Sequence, residues 1–267
     1  MMKKILLVAI ACIIVGVIGI SQTYKKAVAN VEAGNKEDVI KNEALKNVEV
    51  DLAAGDVVIQ KSPDSSFYVK QTGDVRKQEI RIVEEGDALK IIGGRENGDS
   101  FDFSFYNFRF QTPTVTIFVP ERFYQEIKVK SSAGQIEISD VKSDRVRVET
   151  LAGEVELKHV TAKNVEGSTK AGEVNFEKVI GKVTAKTASG DVEIIDHDSK
   201  YDLEASSTAG DIDITLLEKP QNAVISGQSA AGDVTIFNEE NRNVTIGNGS
   251  TKINGKTAAG DVTIETR

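Results

Sequence analysis

The sequence contains one cysteine, two histidines and no tryptophan among its 267 residues. The cysteine, Cys12, lies within an apolar N-terminal run, so the rest of the chain has neither a disulfide nor a thiol site. There is also no His-Glu-x-x-His sequence and no Ser/His/Asp signature. We therefore predict a non-enzymatic protein that has no catalytic residue and holds no cofactor.

Proline is also scarce, with four residues, whereas there are 22 glycines and many valines, isoleucines and threonines. β-Branched residues favour strands, and glycine is frequent where a chain bends. Hydrophobic residues make up 40% of the chain, which is enough for a substantial core. The composition therefore predicts an all-β globular fold.

Basic residues are outnumbered by acidic ones, most strongly after the N-terminus. Residues 1–26 hold four lysines and no acidic residue, which leaves 29 basic and 41 acidic residues in the remainder, a net charge of −12. Such a surface repels phosphate groups. The charge argues against binding to nucleic acid and permits basic partners or divalent cations.

A long apolar run extends from Ile5 to Ile20, after two lysines. Its 16 residues cover ~24 Å as a helix, and the uncharged residues as far as Tyr24 extend it to about one bilayer span. An Ala-Val-Ala sequence at 27–29 leaves a cleaved signal peptide as the alternative. Residues 1–26 therefore predict a transmembrane anchor or a signal peptide, and we expect a single-pass cell-membrane protein whose C-terminal domain is extracytoplasmic. Residues 27–46 are polar and indicate a linker or stalk.

A short repeat, Ala-Gly-acid-Val-x-Ile, recurs eight times. Its glycines are Gly55, Gly134, Gly153, Gly172, Gly190, Gly210, Gly232 and Gly260, and the central ones are 18 to 22 residues apart. The residues two and four positions after each glycine are apolar, which is the alternation of a strand with one buried face. In seven copies a serine or threonine stands three positions before the glycine. Each unit therefore predicts a strand, a tight bend at Ala-Gly and a second strand.

One unit cannot bury its own apolar face, but a stack of units can. Successive coils of about 19 residues, ~4.8 Å apart, would align equivalent residues in ladders. Glycine is expected at the bend because positive φ or the close approach of the next coil excludes a Cβ there. We therefore predict a thin β-solenoid, a single-stranded β-helix, over residues 47–267, with irregular N-terminal coils or a cap at 47–125 and regular repeats at 126–267.

The residue after the repeat glycine is acidic in seven of the eight copies. Stacked coils would align these carboxylates, which calls for backbone donors, lysines or a metal ion. Asp191, Asp211 and Asp233 are accordingly weak candidates for a calcium site, because oxygen ligands suit that ion. The alternative is that each aspartate caps a turn, as aspartates that follow glycine commonly do.

An aromatic segment, Phe101 to Phe110, holds six of the fifteen aromatic residues. Its alternation changes phase near Phe105, which indicates a β-bulge. The segment is either a strand that covers the core or an exposed surface for a partner, with Phe103, Tyr106 and Phe108 as the candidate contact residues.

Residues 115–267 resemble the bacterial "putative adhesin" family, which includes LiaG-like envelope-stress accessory proteins. The resemblance rests on Val-Thr-Ile-Phe-Val-Pro at 115–120, Ile-Lys-Val-Lys-Ser-Ser-Ala-Gly-Gln-Ile-Glu-Ile at 127–138 and the later repeats, and extends more loosely to residues 48–59. It implies a right-handed β-solenoid in the cell envelope and carries over no catalytic residue.

Two classes of function follow from these features. The first is a non-enzymatic surface interaction module, adhesin-like or accessory to envelope-stress signalling, which binds an envelope protein or a glycan. The alternative is a β-helix protein that binds or degrades polysaccharide, because β-helices also host lyases and hydrolases. Fold alone does not decide between them.

Overall fold

A computed structural model describes residues 36–73, 80–94 and 113–267, and all regular elements within these ranges are β-strands. The described residues belong to one compact unit. No helix in the described ranges is long and apolar enough to cross a membrane. The anchor predicted at Ile5 to Ile20 and the aromatic segment at Phe101 to Phe110 lie outside the described residues.

The strands form two sheets of 11 strands each, here called sheet A and sheet B. Sheet A contains, in spatial order, β1 (Lys36–Ile40), β4 (Phe67–Thr72), β7 (Thr114–Val119), β3 (Asp56–Lys61), β9 (Ile136–Ser139), β11 (Val155–Lys158), β13 (Val174–Glu177), β15 (Val192–His197), β17 (Ile212–Leu216), β22 (Val262–Thr266) and β19 (Val234–Ile236). Sheet B contains β20 (Asn243–Ile246), β18 (Ala223–Ala231), β21 (Thr251–Ala259), β16 (Leu203–Ser206), β14 (Ile180–Lys186), β12 (Thr161–Ser168), β10 (Lys142–Glu149), β8 (Phe123–Ser131), β2 (Asn47–Leu52), β6 (Ala88–Gly93) and β5 (Ile80–Glu85).

Parallel pairing between equivalent strands of successive repeats confirms the solenoid. Val146 of β10 pairs with Val165 of β12, and Val155 of β11 pairs with Val174 of β13, so each coil advances the register by one 19-residue repeat here. One face of each repeat strand is buried, with the valines and isoleucines of the repeat in the core. The sequence alternation therefore placed the buried faces correctly.

The interior is filled by complementary side chains from the two sheets. In sheet B one inward ladder runs from Val148 through Gly167 to Ala185, so its side chains are small and Gly167 has none. A Cβ added at Gly167 would lie 2.5 Å from Cζ of Phe176, the fully buried side chain that projects from sheet A. The missing side chain on one sheet therefore accommodates the largest ring on the other.

The bend glycines stack against one another with no room for a side chain. A Cβ at Gly153 would be 2.0 Å from the carbonyl oxygen of Gly134, and one at Gly172 would be 2.2 Å from that of Gly153. The neighbouring hydroxyls also bond across coils: Thr187 donates to the Gly172 carbonyl at 2.9 Å. The close approach of neighbouring coils predicted at the bend glycines is confirmed.

The last coil does not stack in chain order, which corrects the expectation that successive repeats are spatial neighbours. Strand β22 lies between β17 and β19, and β21 lies between β16 and β18. The coil of Gly260 is thus inserted between those of Gly210 and Gly232. In chain order, β18, β19 and β20 come first and form the outermost coil with its antiparallel strand. Strands β21 and β22 follow in the sequence but lie between that coil and the coil of Gly210.

The N-terminal region combines parallel coils with antiparallel strands. Strands β2 and β3 continue the stack through β8 and β9, and β6 and β7 extend it further. Strands β1, β4 and β5 pair antiparallel at this end. Because β1 spans Lys36–Ile40 and Leu45 is buried, the predicted stalk at residues 27–46 overlaps the folded unit. Its few apolar residues gave no strand pattern to detect.

Candidate interaction surface

Charges on the outer face of sheet B pair across neighbouring strands. Lys128 Nζ lies 2.7 Å from a Glu49 carboxylate oxygen on β2, and Arg147 Nη2 lies 2.8 Å from Glu166 on β12. The pairs Lys130–Glu149 and Lys186–Glu204 continue the pattern at 3.2 and 3.0 Å. Exposed pairs of this kind add little stability, but they neutralise the face.

The outer face of sheet A is different, because acidic residues align in two columns. One column runs along the strands, where Glu137 pairs with Glu156, and Glu193 with Asp213, in register. The other follows the bends. We call these residues together the acidic face: Glu137, Glu156, Glu193 and Asp213 on the strands, and Glu154, Glu173, Asp191, Asp211, Asp261 and Asp233 at the bends.

Few cations offset this charge. Among the described residues, Lys158 is the one cation that forms an ion pair with the acidic face, through Glu156. Carboxylates on adjacent coils are ~4.8 Å apart, a distance at which like charges repel by about 1 kcal/mol in water. Asn175 separates Glu156 from Glu193 in the strand column, but the bend column is acidic on six stacked coils and is therefore a continuous source of negative potential.

Asp213 shows the effect of this crowding on a single carboxyl. Its partial burial raises the pKa of Asp213 above the ordinary aspartate value, a hydrogen bond from Thr263 lowers it, and the charges of Asp211 and Asp191 raise it further. A cation placed over these carboxylates would relieve the repulsion. The acidic face is thus electrostatically prepared for a positively charged partner.

The bend aspartates also have a structural task. Oδ1 of Asp191 accepts the backbone N–H of Asp211 at 2.7 Å, Oδ1 of Asp211 accepts that of Asp261 at 2.8 Å, and Oδ1 of Asp261 accepts that of Asp233 at 2.8 Å. Each carboxylate therefore holds the bend of the neighbouring coil, which is the capping role that the sequence left as the alternative to calcium.

The calcium candidates are only partly brought together. Asp191 and Asp211 are neighbours in the column, whereas Asp233 is separated from Asp211 by the inserted coil of Asp261. Within the described ranges, no group of three or more His, Cys, Asp or Glu side chains is arranged to hold a metal ion. Calcium binding stays a prediction.

The aromatic candidates Phe103, Tyr106 and Phe108 lie outside the described residues. Sequence reasoning did not single out Tyr68 and Phe118, whose rings form an edge-to-face pair with centroids 6.4 Å apart on β4 and β7. Glu137, Glu156 and Glu193 were not predicted either, because the predicted column contained only the residue next to glycine. Their position three residues after that glycine was the signal that could have identified the strand column.

His197 is the one histidine of the described residues that is fully buried. Its Nε2 lies 3.0 Å from the carbonyl oxygen of Tyr201, so Nε2 carries the proton, and Nδ1 has no hydrogen-bond partner among the described residues. Burial lowers the pKa of His197, and the Tyr201 carbonyl and the charge of Asp198 oppose this only in part. The folded chain therefore disfavours protonated His197.

Acid should consequently destabilise the fold through this residue. Unfolded histidine binds a proton near pH ~6.5 but folded His197 binds it only at lower pH, so stability falls as the pH drops below that value. Between pH ~7 and pH ~5 we expect a loss of at most about 2 kcal/mol that is absent from the His197→Gln variant, whose amide can still donate to Tyr201. Urea unfolding at each pH measures it. Identical pH dependence in the two proteins would contradict the assignment.

The geometry defines a class of protein, a two-sheet parallel β-solenoid built on a Ser/Thr-x-Ala-Gly-acid bend. The chain belongs to the Toastrack family, DUF4097, whose family model matches residues 45–180 and, in a second overlapping match, residues 125–265. The family predicted from the adhesin-like resemblance, and its solenoid fold, are confirmed.

A similar solved structure from Bacteroides fragilis supports the same fold. A "putative adhesin" from Bacteroides fragilis is 17% identical, with a TM-score of 0.53, and the match covers 86% of this chain and 97% of that one. A "putative cell adhesion protein" from Clostridium sporogenes is 12% identical, with a TM-score of 0.44, and the match covers 88% of this chain and 100% of that one. No curated protein matches this chain.

Proposed function

We propose that the chain is a non-enzymatic interaction module of the cell envelope that binds a protein partner through the acidic face. Residues 5–20 tether it to the membrane, and a right-handed solenoid presents the face on the extracytoplasmic side. The adhesin name of the B. fragilis relative agrees with a role in surface recognition. The observation that carries the proposal is the unequal charge of the two outer faces.

The partner should be basic at the contact. Sheet B already satisfies its own charges with Lys128, Arg147 and their counterparts, so a charged partner gains little there. The carboxylates of the acidic face gain from a cationic partner without losing an internal ion pair, apart from that of Glu156. Opposite charges across an interface accelerate encounter and select the partner, and both effects weaken as salt screens them.

Matched neutralisation of the two faces tests the proposal. The first variant combines Glu156→Gln, Glu193→Gln and Asp213→Asn on sheet A. The control combines Glu149→Gln, Glu166→Gln and Glu204→Gln on sheet B, which makes the same change in net charge.

The partner is first captured by photo-crosslinking from residue 193 in intact cells, and its affinity for each purified variant is then measured. We expect the sheet A variant to bind about tenfold more weakly, with a reduced dependence on salt, and the control to bind within about twofold of the unmodified chain. Equal losses in both variants would contradict use of the acidic face. Turnover of a glycan by the purified chain would contradict the non-enzymatic assignment.

A further inference from the structure

The outermost coil at the C-terminal end of the stack has an incompletely covered edge. Strand β19 is the last strand of sheet A, and the described residues form no coil beyond the bend that leads into it, from Ser229 to Thr235. Residues 230–233 of this bend are exposed. We call residues 229–235 the terminal bend.

Interior bends show what such an edge normally binds. The N–H of Gly210 donates to the carbonyl of Ala259 in the next coil at 2.8 Å, and the N–H of Ile212 donates to that of Asp261 at 2.9 Å. In return, Thr257 Oγ1 donates to the Gly210 carbonyl at 2.9 Å, and the N–H of Asp261 donates to Asp211 Oδ1 at 2.8 Å. These four hydrogen bonds, together with one from the Ala259 N–H to the Thr208 carbonyl at 3.1 Å, join one bend to the next.

The terminal bend presents the same four groups without a following coil. They are the N–H and carbonyl of Gly232, the N–H of Val234 and the carboxylate of Asp233, and none of them bonds to a further coil in the described part of the chain. The exposed edge is therefore a copy of interfaces that the molecule already forms internally.

The cap protects the edge on both sides of this bend but not at it. Strand β20 pairs with residues 223–226 of β18, the N–H of Gly227 donates to the Arg242 carbonyl at 3.0 Å, and Arg242 Nη1 donates to the Ser229 carbonyl at 3.3 Å. At the other side, Ile236 and Glu239 close a tight turn. Edge strands are commonly protected in this way. Within the described residues of this edge, the bend between these two protected parts is left uncovered.

The molecule itself shows that such an edge accepts a segment out of chain order. Residues 251–267 pair with the coil of Gly210, although the coil of Gly232 lies between these two segments in the sequence. Their hydrogen bonds are nevertheless those of a sequential coil, for example Gly260 N–H to the Ala231 carbonyl at 3.0 Å. Pairing at the bend depends on the local sequence and not on chain continuity.

We propose that the terminal bend is a strand-addition site for a different polypeptide that carries the sequence Ser/Thr-x-Ala-Gly-acid-Val. The partner segment lies parallel to the terminal bend, and its hydroxyl donates to the Gly232 carbonyl. Its alanine and acidic carbonyls accept from Gly232 and Val234, and its acidic N–H donates to Asp233. Main-chain hydrogen bonds supply the affinity, as in other strand additions, and the small Ala-Gly pair supplies the specificity.

A peptide with the sequence of residues 251–267 is the probe, and amide hydrogen exchange of the full chain is the readout. We expect saturating peptide to slow exchange at Gly232 and Val234. A control peptide with valine in place of Gly260 should not do so, because a Cβ at this position would lie 2.3 Å from a backbone carbonyl oxygen of the neighbouring coil, that of Gly210.

Two aspartate variants separate binding from folding. Asp233→Ala should weaken peptide binding about three- to tenfold, the effect of one hydrogen bond, because Asp233 caps no further coil. Asp211→Ala, which removes an internal cap, should leave the affinity unchanged.

Three results would overturn the proposal. One is unchanged exchange at Gly232 and Val234 in ~1 mM peptide, a concentration at which weak complexes form. Another is a change at Gly210 and Ile212 instead, which would mean that the peptide replaces residues 251–267. The third is protection of the terminal bend by self-association without peptide, which would make a second copy the occupant.

Discussion

Replacing Gly172 with alanine should destabilise the solenoid by about 3 kcal/mol or more, among the largest effects of any single substitution. Gly172 has φ +137°, and its added Cβ would lie 2.2 Å from the carbonyl oxygen of Gly153. Neither backbone can move aside independently, because Gly190 stacks on Gly172 with the same close approach of 2.1 Å. The strain therefore spreads through the column instead of remaining at one bend.

Gly86 provides the matched control. It also has positive φ, +63°, but a Cβ there meets no heavy atom within 4 Å. Gly86→Ala should therefore cost only the left-handed backbone penalty, about 1 to 2 kcal/mol. Urea unfolding of both variants gives the difference. Equal losses would show that backbone conformation, and not the stacking of coils, explains the bend glycines.

The bend could be predicted in detail because its determinants are local and repeated. The stack leaves no room for a side chain at Gly172, and Val174 packs in the core. Thr169 donates to the carbonyl of the preceding bend glycine, Gly153. These three residues lie within six residues of sequence. Each role recurs in other copies, so the pattern shows which feature is structural. The filled interior follows from the same repetition.

The stacking order could not be predicted in this way, because equivalent edges are chemically alike. The edge of the Gly210 coil offers the same groups to the coil of Gly232 as to that of Gly260, and local sequence does not choose between them. The spacing of 28 residues between Gly232 and Gly260, against 18 to 22 between the preceding repeat glycines from Gly134 onward, was the irregularity in this part of the sequence. It reflects the residues of β20, which the chain places on the outermost coil before it returns.

For a related reason, the sequence predicted only the bend carboxylates of the candidate interaction surface. Alignment of the bend carboxylates follows from the repeat, and the hydrogen bonds between Asp191 and Asp211 and between Asp211 and Asp261 bear it out. Whether a face is neutralised depends on cross-strand neighbours, such as Arg147 and Glu166, whose pairing is known only once the register is fixed. The contrast between the two sheets therefore emerged from the structure.

Deletion of residues 251–267 should unfold more of the chain than those residues alone. In a solenoid stacked in chain order, loss of the last coil would only shorten the stack. Here it removes an internal level and separates β18 and β19 from β16 and β17 by the width of one coil, ~4.8 Å on each side. It also removes Ile253, Val262 and Ile264 from the core.

The shortened chain should therefore lose amide protection across residues 223–250 as well as much of its stability. Each fully buried aliphatic side chain contributes about 1.5 to 3 kcal/mol, so the three lost from the inserted coil outweigh any single substitution. Hydrogen exchange read by mass spectrometry locates the loss, and urea unfolding measures its size.

A complementary deletion distinguishes insertion from ordinary truncation. Removing residues 221–249 and joining Pro220 to Ser250 discards the outermost coil and β20 but keeps β21 and β22 next to β16 and β17. This chain should stay protected through residues 203–216 and 251–267, because every remaining coil keeps a neighbour on its inner side. Protection of residues 223–250 after deletion of 251–267 would mean that the outermost coil can stack directly on the coil of Gly210. The outermost coil could then pair with the coil of Gly210 as well as with that of Gly260. Residues 251–267 would not be required for the outermost coil to fold.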